Sequence, residues 1–370
     1  MNVGMGINSV YNIDGSVRQR DGIGYYTYNL IETFLNTQNV GIIPAYFKPI
    51  RTVFCKKRQS LLVQDNVFLT GILPLNFYRT LESKIDVFHS TDYLIPKLRN
   101  TPVVATIHDA LLFKEAKLIN PKLRRLKNYL FKKHIRYADH VIAISHAAAA
   151  DLVSYWGLDS KNISVVHCGI SKAWLKMIPE SKRQEVKQKY KINRPFLLSV
   201  GTIQNKKNYS RVLDAYMQLH ESIRSNFQLI IVGKLGKFAL DTPKISSLHD
   251  EGHIQWLKYV PFDDLRALYQ SALALIFPSL NEGFGLPILE AFASHIPILT
   301  STIESVKEVA ADAAYFVDPY SIDSIRTGME KLMTDSTLRQ DLVKKGIKRV
   351  KNFSWEKCAH DVMQVYTLLR

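Results

Sequence analysis

The sequence contains few cysteines, and their spacing excludes two kinds of site. Only Cys55, Cys168 and Cys358 occur in 370 residues, and no two of them form a CxxC pair. An odd number of unpaired cysteines argues against a disulfide framework and against a zinc site built on thiolates. We therefore expect a protein of a reducing compartment, which fits the cytoplasm.

Long apolar segments are also missing. No window approaches 18 uninterrupted apolar residues, and the first ten residues, MNVGMGINSV, lack the basic start and apolar run of a signal peptide. We expect a chain that neither spans a membrane nor is secreted. With 46% hydrophobic and 22% charged residues, the composition excludes the disordered and fibrous classes.

Several motifs of nucleotide and hydrolase chemistry do not occur. The chain has no P-loop GxxxxGK, no GxSxG, no HExxH, no GxGxxG after a strand and no Asp-x-Asp triplet. The lack of Asp-x-Asp weighs against a sugar-nucleotide site built around a carboxylate-held metal. We therefore expect phosphate to be bound by backbone amides and cationic side chains, without a metal or other cofactor.

Positive charge dominates the sequence. Lysine and arginine number 49 against 33 aspartates and glutamates, which gives a net charge of +16. Residues 1–178 carry 23 of these bases and 12 of the acids, and the run from Lys114 to Arg136 has nine bases against the single acid Glu115. Nucleic acid, an anionic bilayer and phosphorylated substrates are all candidate partners. The alternative is a solvated basic helix, but the regional bias favours a binding face.

Short apolar runs rich in valine, isoleucine and phenylalanine alternate with longer amphipathic stretches along the chain. This alternation is typical of parallel sheets covered by helices, so the predicted fold class is α/β. The length favours two domains. We place them at residues 1–178 and 179–353, because the charged, proline-containing segment 171–194 interrupts the alternation.

The chain ends in a predicted amphipathic helix, residues 354–370. Ser354 can cap its N-terminus. One face of the helix carries four apolar residues, Val362, Val365, Tyr366 and Leu369. A helix with such a face is expected to dock on the rest of the protein.

Two segments of the second half carry the groups that phosphate binding needs. After the predicted strand FLLSVG, the segment GTIQNKKN places Gly201 at a tight strand exit and Lys206 and Lys207 before a helix. Two ammonium groups there can clamp a diphosphate. After a second apolar strand, NEGFGLPILE begins a helix near Leu286, and its glycines let the backbone approach a ligand.

The second segment also contains two glutamates eight positions apart. Glu282 precedes the helix, and Glu290 lies one to two turns inside it. A carboxylate in so apolar a helix is costly unless hydroxyl or amide groups bind it, so we predict such partners for Glu290. Glu282 has an alternative interpretation as an electrostatic cap of the helix.

The two segments together resemble the retaining glycosyltransferases of family 4. NEGFGLPILE carries a Glu-x7-Glu motif, and other matching stretches follow the family's order along both halves: GIGYYTYNL, VFHSTDYLIP, TIHDALLF, ADHVIAISHAAAADL, ISVVHCGI and SVKEVAADAAYFVDP. The resemblance implies the GT-B fold, in which two Rossmann-like domains face a cleft and the C-terminal helix crosses back to the first domain. The first domain would bind the acceptor and the second the nucleotide sugar.

The resemblance implies roles for the charged residues. Glu290 matches the glutamate that accepts hydrogen bonds from the nucleotide ribose, and Glu282 matches the one beside the transferred sugar and the reacting centre. Lys207 matches the lysine on the diphosphate. Lys206 stands where the family usually has arginine, which keeps the charge but loses the bidentate fork. Gly201, at the strand exit before these lysines, is also assigned to the donor-binding residues.

Further donor-binding residues follow from the same resemblance. The backbone amides of one turn would touch the sugar and the distal phosphate: Phe284, Gly285 and Leu286. His108 in TIHD matches a histidine at the donor sugar, although by itself it would be interpreted as a core histidine. Gly24 matches the glycine-rich first loop, where Tyr25 replaces a frequent arginine and removes any phosphate role for that side chain. The catalytic candidates are therefore Glu282, His108 and Lys207.

The stretches HSTDYLIP and TIHDALLF resemble the branch that assembles bacterial O-antigen and other surface polysaccharides, often as mannosyltransferases. We therefore predict a retaining hexosyltransferase that moves a hexose from a nucleotide diphosphate sugar to a lipid-linked or saccharide acceptor. GDP-mannose is the favoured donor. The alternatives are glucosyl-, N-acetylglucosaminyl- and rhamnosyltransferases that use UDP- or dTDP-sugars.

The basic run would belong to the acceptor domain, where it suits a lipid-diphosphate acceptor at an anionic membrane. Four residues represent this face: Arg124, Arg125, Lys132 and Lys133. We expect a cytoplasmic enzyme, peripheral on the inner face of the bacterial plasma membrane. A GT-B sugar-nucleotide epimerase is disfavoured by the glutamate pair. A basic nucleic-acid-binding protein is disfavoured because aromatic and basic residues do not interleave as in an RNA-binding sheet.

Overall fold

The computed structural model describes residues 1–10, 22–36, 40–48, 68–71, 79, 81–109, 132–236 and 241–369. The chain divides into two compact units. The first comprises Met1–Gly169 together with Ser354–Arg370, and the second comprises Ile170–Phe353.

This division falls after residue 169, earlier than the predicted break after residue 178. The intervening segment belongs to the second unit because Trp174 is buried there. Its indole ring packs edge-on against Phe262 and Tyr269, with centroid distances of 5.7 and 4.9 Å. The prediction relied on the charged composition of the segment, which a single anchoring tryptophan does not change.

In the part of the first unit that the structure describes, seven parallel strands form a sheet in the order β3-β2-β1-β4-β5-β6-β7. Along the chain they are Asn2–Gly6 (β1), Gly41–Lys48 (β2), Phe68–Gly71 (β3), Val87–Ser90 (β4), Val103–Ile107 (β5), His140–Ala143 (β6) and Ile163–Val165 (β7). Helices of this unit whose bounds lie within the described residues include Gly22–Asn36 (α1) and His146–Asp151 (α2), the latter continuing as a π-helical turn to Trp156.

Outside the undescribed residues 237–240, the second unit has six parallel strands in one sheet, in the order β10-β9-β8-β11-β12-β13. Along the chain they are Phe196–Val200 (β8), Gln228–Val232 (β9), Gln255–Leu257 (β10), Ala274–Phe277 (β11), Ile298–Ser301 (β12) and Tyr315–Val317 (β13). The helices are Glu180–Lys189 (α3), Tyr209–Met217 (α4), Glu221–Arg224 (α5), Thr242–Asp250 (α6), Phe262–Ser271 (α7), Leu286–Ala293 (α8), Glu304–Ala310 (α9), Ile322–Thr334 (α10) and Ser336–Val350 (α11).

The central strands read as continuous apolar runs because both faces of each sheet are covered. Every residue of β11 and β12 is buried, as expected for parallel strands between helical layers. In the second unit Leu197, Ile231, Ile276 and Leu299 lie in one core with residues of α4 and α10. Burying each such side chain stabilises the fold by about 1.5 to 3 kcal/mol.

Each sheet has one point where its strand order reverses. In the first unit this switch point lies between β1 and β4, and in the second it lies between β8 and β11. Open α/β sheets bind ligands in the crevice outside the carboxyl ends of the strands at such points. In the second unit the segments that leave these two strands are GTIQNKKN and, after a short connection, NEGFGLPILE.

The last helix, Trp355–Leu368 (α12), returns to the first unit. Ser354 caps it, because its Oγ accepts a hydrogen bond from the N–H of Lys357 at 3.0 Å. On the buried face, the hydroxyl of Tyr366 lies 2.6 Å from Nδ1 of His89. The predicted cap and the return of the helix to the first domain are therefore both confirmed.

The basic run is only partly described. Arg124 and Arg125 lie outside the described residues, whereas Lys132 and Lys133 are described and exposed next to the buried Ile135. Among the described helices, none has the length and apolar character that a membrane crossing requires. Contact of the basic face with a membrane stays a prediction.

Candidate active site

The turn after β8 carries the first group of predicted site residues. Gly201 has a φ of 145°, which favours glycine, and a Cβ built on it would lie 3.4 Å from Cε of Lys207. Residues 205–207 form a 3-10 turn, and Asn208 follows with a φ of 63° before α4 begins. The turn therefore brings Lys207 back over the end of the strand.

Lys207 meets Glu282, which comes from the segment after β11. The Nζ atom of Lys207 lies 2.6 Å from Oε1 of Glu282, and the two side chains are only 15% and 9% exposed. The ammonium group also lies over the ring of Phe277, 4.7 Å from its centroid. Two residues 75 positions apart in sequence thus form a nearly buried ion pair at the switch point.

This ion pair keeps Glu282 ionised. Burial alone would raise the pKa of Glu282, but the charges of Lys207 and Lys206 and the hydrogen bond from Lys207 together hold that pKa below its ordinary value. The carboxylate therefore pairs with a lysine, while the N-cap of α8 is Gly285, without a side-chain capping bond. Removing either partner would leave a nearly buried charge uncompensated.

The N-terminus of α8 lies next to Glu282 in the chain. Gly285 has a φ of 102°, which favours glycine, and it directs the chain into the helix that begins at Leu286. The preceding Phe284 is buried and packs edge-on against Phe353 at 5.9 Å between ring centroids. The first backbone N–H groups of a helix attract anions, so this turn has the geometry that the predicted phosphate contact needs.

Glu290 lies one turn into α8 and has the predicted hydroxyl partner. Its Oε2 accepts a hydrogen bond from the hydroxyl of Tyr269 at 2.8 Å. Burial raises the pKa of Glu290 to about 7, against the smaller opposing effects of Tyr269 and the Lys207 charge. The carboxyl group therefore titrates near neutral pH, and its charge can respond to a ligand that donates hydrogen bonds.

Two of the residues predicted to contact the donor belong to the first unit. His108 directly follows β5, where its Nε2 donates to the carbonyl of Thr91 at 3.0 Å and its ring packs edge-on against Tyr26 at 4.9 Å. Gly24 lies in the first turn of α1, which begins at Gly22, and not in the glycine-rich loop that the resemblance implies. Its assignment to a loop is therefore wrong, and a ligand contact would have to come from the first helical turn.

Sequence reasoning missed a hydroxyl cluster near the switch point of the first unit. Oγ1 of Thr27 lies 2.8 Å from Oγ1 of Thr91, and Oγ of Ser9 lies 3.1 Å from Oγ1 of Thr27. Ser9 follows β1 and Thr91 follows β4. The signal was available in HSTDYLIP, where a polar pair directly follows an apolar strand.

Two family models match the chain. The model described as Glycosyltransferase Family 4 matches residues 21–174, and the model described as Glycosyl transferases group 1 matches residues 182–349. Both models describe transferases, and together they include the described site residues of both units. The epimerase and nucleic-acid alternatives receive no support from these matches.

Curated relatives of the chain include bacterial mannosyltransferases. It is 29% identical over 286 residues to O-antigen chain mannosyltransferase B of Escherichia coli, an alignment that covers 76% of this chain and 74% of that protein. It is also 29% identical over 293 residues to the serotype-specific mannosyltransferase WbdA of Escherichia coli, which covers 76% of this chain but 36% of that protein.

A solved structure supports the fold. WaaG, described as a glycosyltransferase involved in lipopolysaccharide biosynthesis, has a TM-score of 0.73 at 17% identity and covers 99% of both chains. With two parallel sheets, each with one switch point, and a terminal helix that returns to the first unit, the fold is GT-B. The chain belongs to the group 1 and family 4 glycosyltransferases and is a hexosyltransferase.

Proposed function

We propose that this hexosyltransferase moves a hexose, with retention of configuration, from a nucleotide diphosphate sugar to a hydroxyl of a growing lipid-linked bacterial surface polysaccharide. The observation that carries the proposal is the nearly buried Lys207–Glu282 pair at the switch point of the second unit. Glu290 and the N-terminus of α8 belong to the same unit. Together they offer a cation, two carboxyl groups and backbone amides to a diphosphate and its sugars.

Stabilisation of the leaving group dominates the chemistry. As the bond from C1 to the diphosphate oxygen breaks, the nucleoside diphosphate leaves with the bonding electrons and its distal phosphate gains a negative charge, while C1 becomes oxocarbenium-like. Binding the leaving phosphate therefore gives the largest reduction of the barrier. Lys207, Lys206 and the first amides of α8 would provide this binding. We therefore propose that transfer requires no metal ion.

Donor binding would change the partner of Lys207. The ammonium group that donates to Glu282 at 2.6 Å is the one that the diphosphate needs, and the more highly charged phosphate would compete for it. Once the Lys207 ammonium group binds the diphosphate, the Glu282 carboxylate would be able to accept hydrogen bonds from sugar hydroxyls. In the mechanism that the family resemblance implies, the leaving phosphate helps to deprotonate the acceptor hydroxyl on the same face, so Glu282 and His108 polarise and orient rather than attack.

The mannosyltransferase relatives favour GDP-mannose as the donor, with UDP- and dTDP-sugars as the alternatives. A panel of these nucleotide sugars, assayed for donor hydrolysis and for transfer to a saccharide acceptor, tests this choice. We expect GDP-mannose to give the highest rate and the rate to survive EDTA. A strict requirement for added manganese would contradict the proposed chemistry, and a higher rate with a UDP- or dTDP-sugar would replace the proposed donor.

The titration of Glu290 predicts a pH dependence. Ribose hydroxyls donate to the ionised carboxylate, so binding favours ionised Glu290, whose pKa burial raises to about 7. GDP affinity should therefore rise about tenfold from pH 6 to pH 8, and binding at pH 7 should release about half a proton from this group. Titration calorimetry in buffers of different ionisation enthalpy measures both quantities.

The matched control is Glu290→Gln, which keeps the size of the side chain and removes the titration. The variant should show only the protonation change of the GDP phosphate itself. Its GDP affinity at pH 8 should fall by about 1.5 to 3 kcal/mol, the loss of hydrogen bonds to a charged group. An identical proton release and affinity in wild type and variant would show that Glu290 does not contact the ribose.

We propose that the basic run holds the enzyme on the cytoplasmic face of an anionic membrane. Each lysine or arginine near such a surface contributes about 1 kcal/mol, so several give reversible binding that salt weakens. Charge reversal to glutamate of Arg124, Arg125, Lys132 and Lys133 should abolish sedimentation with anionic liposomes and leave transfer to a short soluble acceptor intact. Sedimentation like that of wild type would identify a solvated helix, and loss of soluble-acceptor activity would place the run at the acceptor.

A further inference from the structure

Asn208 is a buried asparagine in the left-handed backbone region, directly after Lys207. It is 2% exposed, with φ of 63° and ψ of 30°. It stands at the N-cap position of α4, yet its side chain makes no capping bond there. A residue of this type at an N-cap usually accepts from the first helical N–H groups, so the side chain of Asn208 has a different task.

The side-chain amide of Asn208 binds two backbone carbonyls from other parts of the second unit. Its Nδ2 donates to the carbonyl oxygen of Pro278 at 3.0 Å and to that of Pro319 at 2.7 Å. Its Oδ1 accepts from Nη1 of Arg211 at 3.0 Å. Both amide hydrogens and the amide oxygen are therefore used, which only asparagine or a longer amide can do.

The two carbonyls belong to the ends of two other strands. Pro278 directly follows β11, and Pro319 comes two residues after β13. The same turn is also tied by its backbone, since the N–H of Leu280 donates to the carbonyl of Lys206 at 2.7 Å. One side chain thus fixes the turn after β8 against the strand ends on the other side of the switch point.

This fixed turn carries the ammonium group of the site. Lys207 immediately precedes Asn208, and its Nζ lies over the ring of Phe277, the residue before Pro278. A shift of the turn relative to β11 would therefore change the distance between Nζ and the carboxylate of Glu282, now 2.6 Å. Misplacement of a charged group by about 1 Å is enough to lose much of its catalytic effect.

We propose that Asn208 is a positioning residue, whose side-chain amide sets the place of Lys207 relative to Glu282 and to the diphosphate. The inference rests on the proposed function of Lys207 as the diphosphate ligand. It assigns Asn208 no contact with substrate. Its effect on the reaction passes entirely through Lys207.

Substitution of Asn208 by aspartate or by glycine separates the effect of its side-chain amide from that of its left-handed backbone. Glycine adopts the left-handed region freely and aspartate tolerates it, so both keep the backbone of the turn. Asn208→Gly removes the amide. Asn208→Asp keeps its shape but replaces two donors by a carboxylate oxygen that faces the carbonyls of Pro278 and Pro319, so the variant should be the more damaging of the two.

The readout is the extra affinity that the diphosphate adds, measured as the ratio of guanosine to GDP dissociation constants. In Asn208→Asp this ratio should fall about tenfold and kcat about 100-fold, while guanosine affinity stays within about twofold of wild type. Asn208→Gly should change the same quantities in the same direction but by less, with a fall of about fivefold in the ratio of dissociation constants. If Asn208 had only a structural role, its substitution would weaken the binding of guanosine and of GDP by the same factor.

Asn226→Asp is the matched control. Asn226 is an exposed asparagine whose Nδ2 donates to the carbonyl of Ser222 at 2.7 Å, and it precedes β9 at the opposite end of the strands. Its variant should keep the wild-type ratio and kcat. Thermal melting and circular dichroism identify folded variants; should Asn208→Asp not fold, Asn208→Gly carries the same test.

Two results would separate the failure of this inference from that of the proposed function. If Lys207→Ala loses the diphosphate effect while folded Asn208 variants retain the wild-type ratio and kcat, Asn208 does not position Lys207 and the inference is overturned. If Lys207→Ala itself retains the ratio, Lys207 is not the diphosphate ligand, and both the proposed function of this residue and the inference fall.

Discussion

Replacing Lys207 with alanine should lower turnover about 1000-fold, whereas replacing Lys206 should lower it about tenfold. The reason is the difference between the two lysines at Glu282. Lys206 acts on this carboxylate through its charge, but Lys207 also donates a hydrogen bond to it at 2.6 Å. The ammonium group already seated in the site is the one that can stabilise the departing diphosphate. Steady-state rates with saturating donor measure both variants.

A control is needed because Lys207→Ala leaves Glu282 buried without its partner, which can destabilise the fold by several kcal/mol. The double variant Lys207→Met with Glu282→Gln removes both charges and keeps the volume of the side chains. It should recover the thermal midpoint of wild type and stay inactive. Equal activity of Lys207→Ala and Lys206→Ala would contradict the assignment of the clamp.

Replacing Glu282 with glutamine should have opposite effects on binding and on turnover. The substitution releases Lys207 from its ion pair, so the diphosphate no longer competes for the ammonium group and GDP should bind about tenfold more tightly. The charged oxygen beside the transferred sugar is lost at the same time, so kcat should fall about 100-fold. Calorimetry with GDP and transfer rates measured on the same preparation give both values.

Glu185→Gln provides the comparison for this variant. Glu185 pairs with Lys182 at 2.7 Å on the surface of α3, where both side chains are exposed, and exposed pairs contribute little. This variant should change neither GDP affinity nor kcat. Weaker GDP binding in Glu282→Gln would mean that the carboxylate supports the lysine rather than competing with phosphate for it, and the proposed exchange of partners would be wrong.

The sequence predicted the central strands well because they are continuous apolar runs. The apolar runs predict strands at Val103–Ile107, Phe196–Val200 and Gln228–Val232 and a helix at Leu286–Ala293, and β5, β8, β9 and α8 have these bounds. Two strands were missed, Phe68–Gly71 and Gln255–Leu257, since three or four residues give too little pattern. The charged segment 171–194 predicts a break between domains, yet it contains helix Glu180–Lys189. The sequence pattern does not reveal this helix, because Val186 is its only buried residue.

The site could be predicted as a set of residues but not as a set of contacts. The resemblance indicated Lys207, Glu282 and Glu290, and the cost of burying a carboxylate predicted a hydroxyl partner for Glu290. The sequence could not identify Tyr269 as this partner, because the two residues are 21 positions apart and their contact depends on how α7 and α8 pack. The hydrogen bonds of the Asn208 side-chain amide could not be predicted for the same reason, since the carbonyl groups that accept them follow strands distant in sequence.

The most direct measurement compares GDP with guanosine in wild type and in Lys207→Ala by titration calorimetry at 0.15 M salt. Both ligands present the base and ribose, and only GDP presents the diphosphate. We predict that wild type binds GDP at least about 100-fold more tightly than guanosine and that this ratio falls by about tenfold or more in the variant, with guanosine affinity unchanged. The same ratio in both proteins would contradict the claim that Lys207, at the switch point of the second unit, binds the donor diphosphate.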